Sequence, residues 1–328
     1  MRKKDRMSDP ADLQHIPDLL LLEIAIQDAL PVHPAFQVFT DALKQRFGDA
    51  LDAVILYGSC LRTSDLTEGI ADFYVLISDY RLAYSSPLLA HLNNWLPPNV
   101  FYLEVPGSTS VMRAKYAVIS TADFERGARQ WFHPYIWARF AQPARLLHAR
   151  DERIRKRVHA AQANAVLKFV SSTLPMLESG PCDMETIWAT GLMLTYAAEL
   201  RAEREARARH LVQLDPEIYS KLTVAAVPAL SPMLNLQIDG LYHIGSVSPL
   251  EKLKVRIHWR LRRWQGRVLS ILRLSKATMT FRDCLDYAAW KIERHTGIKV
   301  EITPMLRRHP VLWGYKVMWQ LLRRGVLR

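Results

Sequence analysis

The sequence predicts an α+β fold: a sheet with helices over residues 1–150, a mainly helical region over 151–300, and a basic amphipathic helix at 301–328. Three observations carry this. Short apolar runs bounded by turn residues recur near 52–57, 71–78, 99–105 and 115–120, the pattern of strands. From about 122 the pattern becomes helical, and beyond Arg150 it is long and charged through 160–177 and 185–211. From Arg307 to the end there are six Lys or Arg, no acid, and apolar residues at helical spacing.

Taken in order, the residues before 50 read as helical, and Val54, Ile55 and Leu56 as a buried strand. Gly58 follows, where the lack of a side chain lets backbone amides approach an anion, and Ser59 adds a hydroxyl donor. In the next strand, ADFYVLI, alternation puts Asp72, Tyr74 and Leu76 on one face and Phe73, Val75 and Ile77 on the other. The second set is expected to face the core, leaving the Asp72 face for chemistry. Glu104, in the third strand, is a candidate further carboxylate. In KYAVIS, Lys115 shares a face with Ala117 and Ile119 and is placed to neutralise a phosphate. The thirteen uncharged residues 186–198 predict a buried helix that delivers Glu199, with Tyr196 on the same face if the helix continues.

Composition limits the function classes. The chain has 328 residues, enough for about two domains, and its 44 Lys and Arg against 32 Asp and Glu give a formal charge of +12. Such a balance points to an anionic partner: nucleic acid, nucleotide or an acidic membrane surface. Cys60, Cys182 and Cys284 are far apart and lack metal-ligand spacing, so neither a disulfide framework nor a zinc site is expected, and a reducing cytoplasm fits. The apolar run 19–22 is broken by Glu23, so no secretory leader is expected. The longest uncharged run, 222–238, contains Pro228 and Pro232 and falls short of about 20 apolar residues, so membrane contact is expected to be peripheral.

The stretch DAVILYGSC, followed by ADFYVLIS, resembles the polymerase-beta-like nucleotidyltransferases. In that superfamily the Gly-Ser turn holds a triphosphate, and the next strand offers magnesium two carboxylates in acid-x-acid spacing. Here the first acid is Asp72 and the second position is Tyr74. With RAKYAVIS, then YIWARFAQPA at 135–144, then TYAAELR, the order of motifs over residues 50–215 is similar to the mitochondrial-type CDP-diacylglycerol synthases, the translocator assembly and maintenance protein family of phosphatidate cytidylyltransferases. The resemblance places Arg139 at the family arginine, Gln142-Pro143 in place of Lys-Pro, Trp137-Ala138 in place of Ala-Gly, Glu199 at an acidic position and Arg201 at its arginine.

The resemblance implies a nucleotidyltransferase-type mixed sheet and an enzyme of phospholipid biosynthesis, with CTP and phosphatidic acid as partners and Mg2+ as cofactor. The product would be CDP-diacylglycerol, with release of pyrophosphate. Asp72, Lys115, Arg139 and Glu199 would be catalytic, Asp72 and Glu199 would hold the metal, and Tyr57, Gly58, Ser59 and Arg201 would bind nucleotide. CTP in preference to ATP rests wholly on the resemblance. The acceptor gives a reason for Tyr74: a phosphomonoester, with a second pKa of about 6, is largely ionised already and needs charge screening more than a strong base.

A lipid substrate requires a surface. Residues 252–276 hold nine Lys or Arg and no acid, interleaved with Ile257, Trp259, Leu261, Trp264 and Leu269. The terminal helix offers Arg308, Trp313, Lys316, Trp319, Arg323 and Arg324 to an anionic membrane surface, so the protein is expected to be cytoplasmic and peripheral on the inner face of a membrane. The same tryptophans and arginines fit single-stranded nucleic acid. Nucleic acid is the partner the resemblance disfavours, but a nucleotidyltransferase acting on RNA or protein stays open, as does a degenerate fold kept as a binding module.

Overall fold

In the computed structural model of the chain, residues 15–61, 70–106, 111–199 and 205–280 are described. Arg201, Cys284 and the terminal segment with Arg308, Trp313, Lys316, Trp319, Arg323 and Arg324 lie outside them. The described chain opens with α1 (Asp18–Asp28), α2 (Phe36–Phe47), β1 (Leu51–Tyr57) and β2 (Ile70–Ile77). It continues through α3 (Tyr80–Ala83), α4 (Pro87–Trp95), β3 (Asn99–Pro106), β4 (Val111–Ser120), α5 (Thr121–Arg129), α6 (Trp137–Phe140) and β5 (Ala144–Ala149). After α7 (Glu152–Thr173) come β6 (Gly180–Cys182), α8 (Met184–Ala198), α9 (Glu205–Gln213), α10 (Pro216–Leu230), β7 (Leu234–Leu236), β8 (Tyr242–Ile244) and α11 (Pro249–Thr280).

The fold is α+β around a mixed five-stranded sheet in the order β3-β4-β2-β1-β5, in which β2 and β4 run parallel and the other neighbours antiparallel. The expectation of one core face and one open face is corrected. Phe73, Val75 and Ile77 pack with Phe36, Phe39 and Leu43 of α2, as expected, but Tyr74 and Leu76 enter a larger core with Phe124, Phe140, Val158 and Phe169. Both sheet faces are therefore covered, which is why β1 and β2 are nearly continuous apolar runs. Asp72, the third residue of β2, escapes full burial where the neighbouring strand stops: it pairs with Tyr57, the last residue of β1.

Two further expectations change. Residues 144–149 are a strand, with Leu146 opposite Ile55: the open edge of β1 overrides the helix-forming bias of Ala-Arg-Leu-Leu. A second sheet, β6-β8-β7, sits among the later helices, its three-residue strands too short to show a period. Some helices start where a side chain caps them. Asp151 accepts from the Ile154 amide at 2.7 Å to begin α7, and Asp183 from the Thr186 amide at 2.6 Å to begin α8. Among the described residues no helix is long and apolar enough to cross a membrane.

The basic stretch 252–276 is only partly a surface. Trp259 is buried, with its indole N–H donating to the Ser172 carbonyl at 3.2 Å. Arg262 is buried too, lying over the rings of Phe132, Trp137 and Trp259. Near the end of α11, the Lys276 ammonium donates to the carbonyls of Leu92, Leu96 and Pro98. These side chains tie α11 to α4, α7 and the α4–β3 turn. An inward face of a helix this basic is invisible to composition.

Candidate functional site

The site forms where β1 ends. Gly58 has φ of 85°, a left-handed conformation suited to glycine, and Ser59–Leu61 turn tightly after it. A Cβ at position 58 would stand 3.5 Å from Asp72 Oδ2, so the glycine leaves that carboxylate oxygen uncovered. Lys115 is level with Asp72 in the parallel β2–β4 register, and its ammonium lies 2.8 Å from Asp72 Oδ1. Alternation along β4 delivers it there, on the face it shares with Ala117 and Ile119.

A cavity of about 250 Å³ opens at this turn. Tyr57, Gly58, Ser59 and Asp72 form one wall; Arg139 of α6, with Gln142 and Pro143 just after it, forms another; and Thr195, Tyr196 and Glu199, from the end of α8, face them. The residues picked from four separate motifs thus meet in one place. Lys115 reaches the cavity only through Asp72. Glu104 does not belong to it: on the exposed side of β3 it pairs with Arg113 at 3.2 Å and accepts from Tyr102.

Arg139 is the centre of the polar network. Its Nη1 donates to the Tyr135 carbonyl at 2.6 Å and to the Tyr74 hydroxyl at 3.3 Å, while Nη2 faces Glu199 Oε2 at 3.5 Å. Its guanidinium also lies over the rings of Tyr135, at 4.4 Å, and Tyr57, at 5.7 Å. Burial disfavours that charge, but the Tyr74 oxygen and the Glu199 carboxylate more than offset it. Burial also raises the Tyr57 and Tyr74 phenols well above their ordinary value, with Asp72 adding to the effect on Tyr57 and Tyr135 to that on Tyr74, so both stay protonated.

Helix α8 stops at Ala198, and Glu199 takes an extended backbone. The expectation that Tyr196 and Glu199 share a helical face therefore fails. They meet the cavity by another route: Tyr196 donates to Gln142 Oε1 at 3.2 Å, and the chain turn swings Glu199 towards Arg139. That end packs against α11. At Gly266 its backbone presses on the end of α8 so closely that a Cβ would lie 1.9 Å from the Ala198 carbonyl oxygen. One turn and more further along, Arg273 stacks over Tyr135 at 3.8 Å and donates to the Pro97 carbonyl at 3.4 Å.

Sequence reasoning missed Tyr135, Arg273 and Gly266, and also Arg207 and Leu211 of α9, which line the cavity. Tyr135 was within reach, since it opens the segment that supplies Arg139. The others depend on how helices cross. Among the described residues no group of three or more His, Cys, Asp or Glu converges as a metal site. Magnesium nevertheless needs only one or two carboxylates when substrate phosphates and water complete its shell. Asp72, with Oδ2 uncovered by Gly58 and lining the cavity, fits that demand; Glu199 lines the same cavity from the opposite wall. No protein-family model matches the chain, and no curated protein matches it.

Proposed function

We propose that the chain is a nucleotidyltransferase, and within that class a phosphatidate cytidylyltransferase that makes CDP-diacylglycerol from CTP and phosphatidic acid. The observation that carries this reading is the convergence of the Gly58 turn, the Asp72–Lys115 pair and the Arg139–Glu199 pair on one cavity. A phosphatidate oxygen attacks the α-phosphorus of CTP, the bond to the β-phosphate breaks, and pyrophosphate leaves. The acceptor is largely ionised at neutral pH, so no strong base is required. Repulsion between two anions is the main obstacle, and Lys115 and Arg139 lower it.

Gly58 and Ser59 present the turn to the triphosphate. Asp72 is the residue that would hold magnesium there, with Glu199 as its partner, and the ion would supply charge neutralisation on the phosphates. Tyr57 walls the nucleotide side. Arg139, fixed by Tyr135, Tyr74 and Glu199, directs its charge at the reacting phosphates.

The test is labelled CTP with phosphatidic acid, followed by detection of labelled CDP-diacylglycerol and of pyrophosphate. Asp72→Asn should lower the rate by about 100-fold or more, the scale of losing one preorganised electrostatic group. Near-normal transfer by Asp72→Asn would remove the assignment. Product formed on RNA instead of phosphatidate would replace it.

A further inference from the structure

The two sides of α11 differ in kind. It has 32 residues, so it extends about 48 Å at the α-helical rise. The inner side carries Trp259, Arg262, Gly266 and Arg273 into the protein. Along the outer side, Leu250, Leu253, Ile257, Leu261, Trp264 and Val268 follow one another at intervals of three or four residues, all exposed, with Trp264 at 69%. Beside this stripe runs a second row, Arg256, Arg260, Arg263 and Arg267, also exposed. A stripe of this length spends apolar area on solvent that a stable monomer would ordinarily bury.

We propose that this face of α11 docks on an anionic lipid bilayer, with the aliphatic stripe at the headgroup–acyl boundary and the arginine row on lipid phosphates. Charge decides against a second copy of the chain: Glu251, in the first turn, is the one acid of α11, and none occurs from Lys252 to Lys276, so a partner helix of the same sequence brings a single carboxylate to meet the row of arginines. Side-chain type decides against single-stranded nucleic acid. Bases stack on aromatic rings, and of the six stripe residues named only Trp264 is aromatic. A bilayer matches both features at once. The docking surface stands whether or not the cavity transfers a cytidylyl group; joined to that reading, it sets the lipid beside a helix that touches the site through Gly266 and Arg273.

The full-length chain is mixed with phosphatidylcholine vesicles and with mixed phosphatidylcholine–phosphatidylserine vesicles, and sedimentation is measured. Binding should require the anionic lipid. Leu261→Glu with Trp264→Glu should abolish it, and Arg260, Arg263 and Arg267 changed together to Gln should weaken it about a hundredfold, at about fivefold per cation. Brominated lipid should quench wild-type tryptophan emission more than that of Trp264→Phe, a comparison that does not depend on the harsher variants folding. Unchanged sedimentation of the glutamate variant, equal quenching of wild type and Trp264→Phe, or a wild-type dimer that the glutamate variant breaks would each overturn the proposal. So would RNA binding lost in these variants while vesicles are ignored. Pyrophosphate release on a short-chain, detergent-dispersed phosphatidate should survive in the variants. Loss of docking with no such activity in any form sinks the cytidylyl reading alone; activity without docking in the wild type sinks this one alone.

Discussion

Replacing Gly266 with alanine places a methyl group where α11 crosses the end of α8. The new Cβ would stand 1.9 Å from the Ala198 carbonyl oxygen, and contacts below 3.0 Å are essentially never found, so the two backbones must part by about 1.1 Å. Neither contacting atom is the end of a flexible side chain, so the strain has no easy outlet. Two stability effects oppose each other: alanine is the better helix former by about 1 kcal/mol, and overpacking costs about 1–3 kcal/mol. The net loss of stability is therefore small, a melting temperature lower by a few degrees. Activity is the sensitive measurement, because Glu199 is the next residue after Ala198 and its carboxylate is only 3.5 Å from Arg139. A displacement of about 1 Å at a reacting centre can cost about 100-fold in rate. Steady-state cytidylyl transfer and thermal unfolding, measured on one preparation, should show a rate reduced by about 10- to 100-fold in a protein still folded at assay temperature. A variant with full activity and a melting temperature at or above that of the wild type would refute the claim that α11 fixes the Glu199 end of the site.

Two further perturbations reach different parts of the molecule. Asp28 is buried against α7, its Oδ1 accepting from Gln162 at 3.1 Å and its Oδ2 lying 3.4 Å from His159 Nε2; burial raises its pKa to about 7 despite Gln162, Arg145 and Arg155, and burial followed by Arg155 lowers that of His159. The folded state thus holds a proton that the unfolded chain releases near pH 3.8, so this stabilisation is complete below that value and is lost as pH rises through about 7. Asp28→Asn should gain stability on the wild type between pH 5 and pH 8 in denaturant titrations, and an equal difference at both pH values would refute it. Arg139→Lys keeps the charge but loses the fork that joins Tyr135, Tyr74 and Glu199; kcat should fall about 10- to 100-fold, the scale of one or two charged hydrogen bonds, and a rate within twofold of wild type would show the fork to be dispensable.

How much of this was legible depends on the range of the forces involved. β1 to β4 were readable because each is an apolar run whose neighbours in sequence supply the turn. β5 was not, because its strand state comes from pairing with β1, almost a hundred positions earlier in the chain, against its own helical bias. Likewise Gly58 was readable as the turn that ends an apolar strand, strand alternation assigned Asp72 and Lys115 their faces, and the parallel register puts the last two side by side. Arg139 and Glu199 were found through motif order; spacing alone supplies no reason for residues sixty apart to meet. Gly266 and Arg273 lay within a stretch that composition marks as a charged surface. Only the crossing of α11 over α8 and Tyr135 turns part of that stretch inward, and no local pattern encodes a crossing point.

Tyr74 shows why a missing residue is better read in three dimensions than against a motif. In the nucleotidyltransferase motif that the sequence resembles, this position carries a second metal carboxylate, and the lack of one here invites a reading of decay. In the fold its ring is fully buried, edge-on to Phe140 at 4.8 Å and to Tyr57 at 5.3 Å, and its hydroxyl accepts from Arg139. A carboxylate at this point would sit beneath the aromatic layer, several kcal/mol above its hydrated state in rough terms, with one shared guanidinium to offset the cost. Tyr74 is thus a support for Arg139 in this fold, and on the proposed reading that support suits an acceptor that brings its own negative charge. Tyr74→Phe should keep its melting temperature and most of its activity, since it loses one 3.3 Å contact. Tyr74→Asp, which restores the acid-x-acid spacing, should instead melt well below the wild type. A stable Tyr74→Asp that transfers nucleotide to a hydroxyl acceptor would mean that the position is still a metal site and that the aromatic layer is incidental.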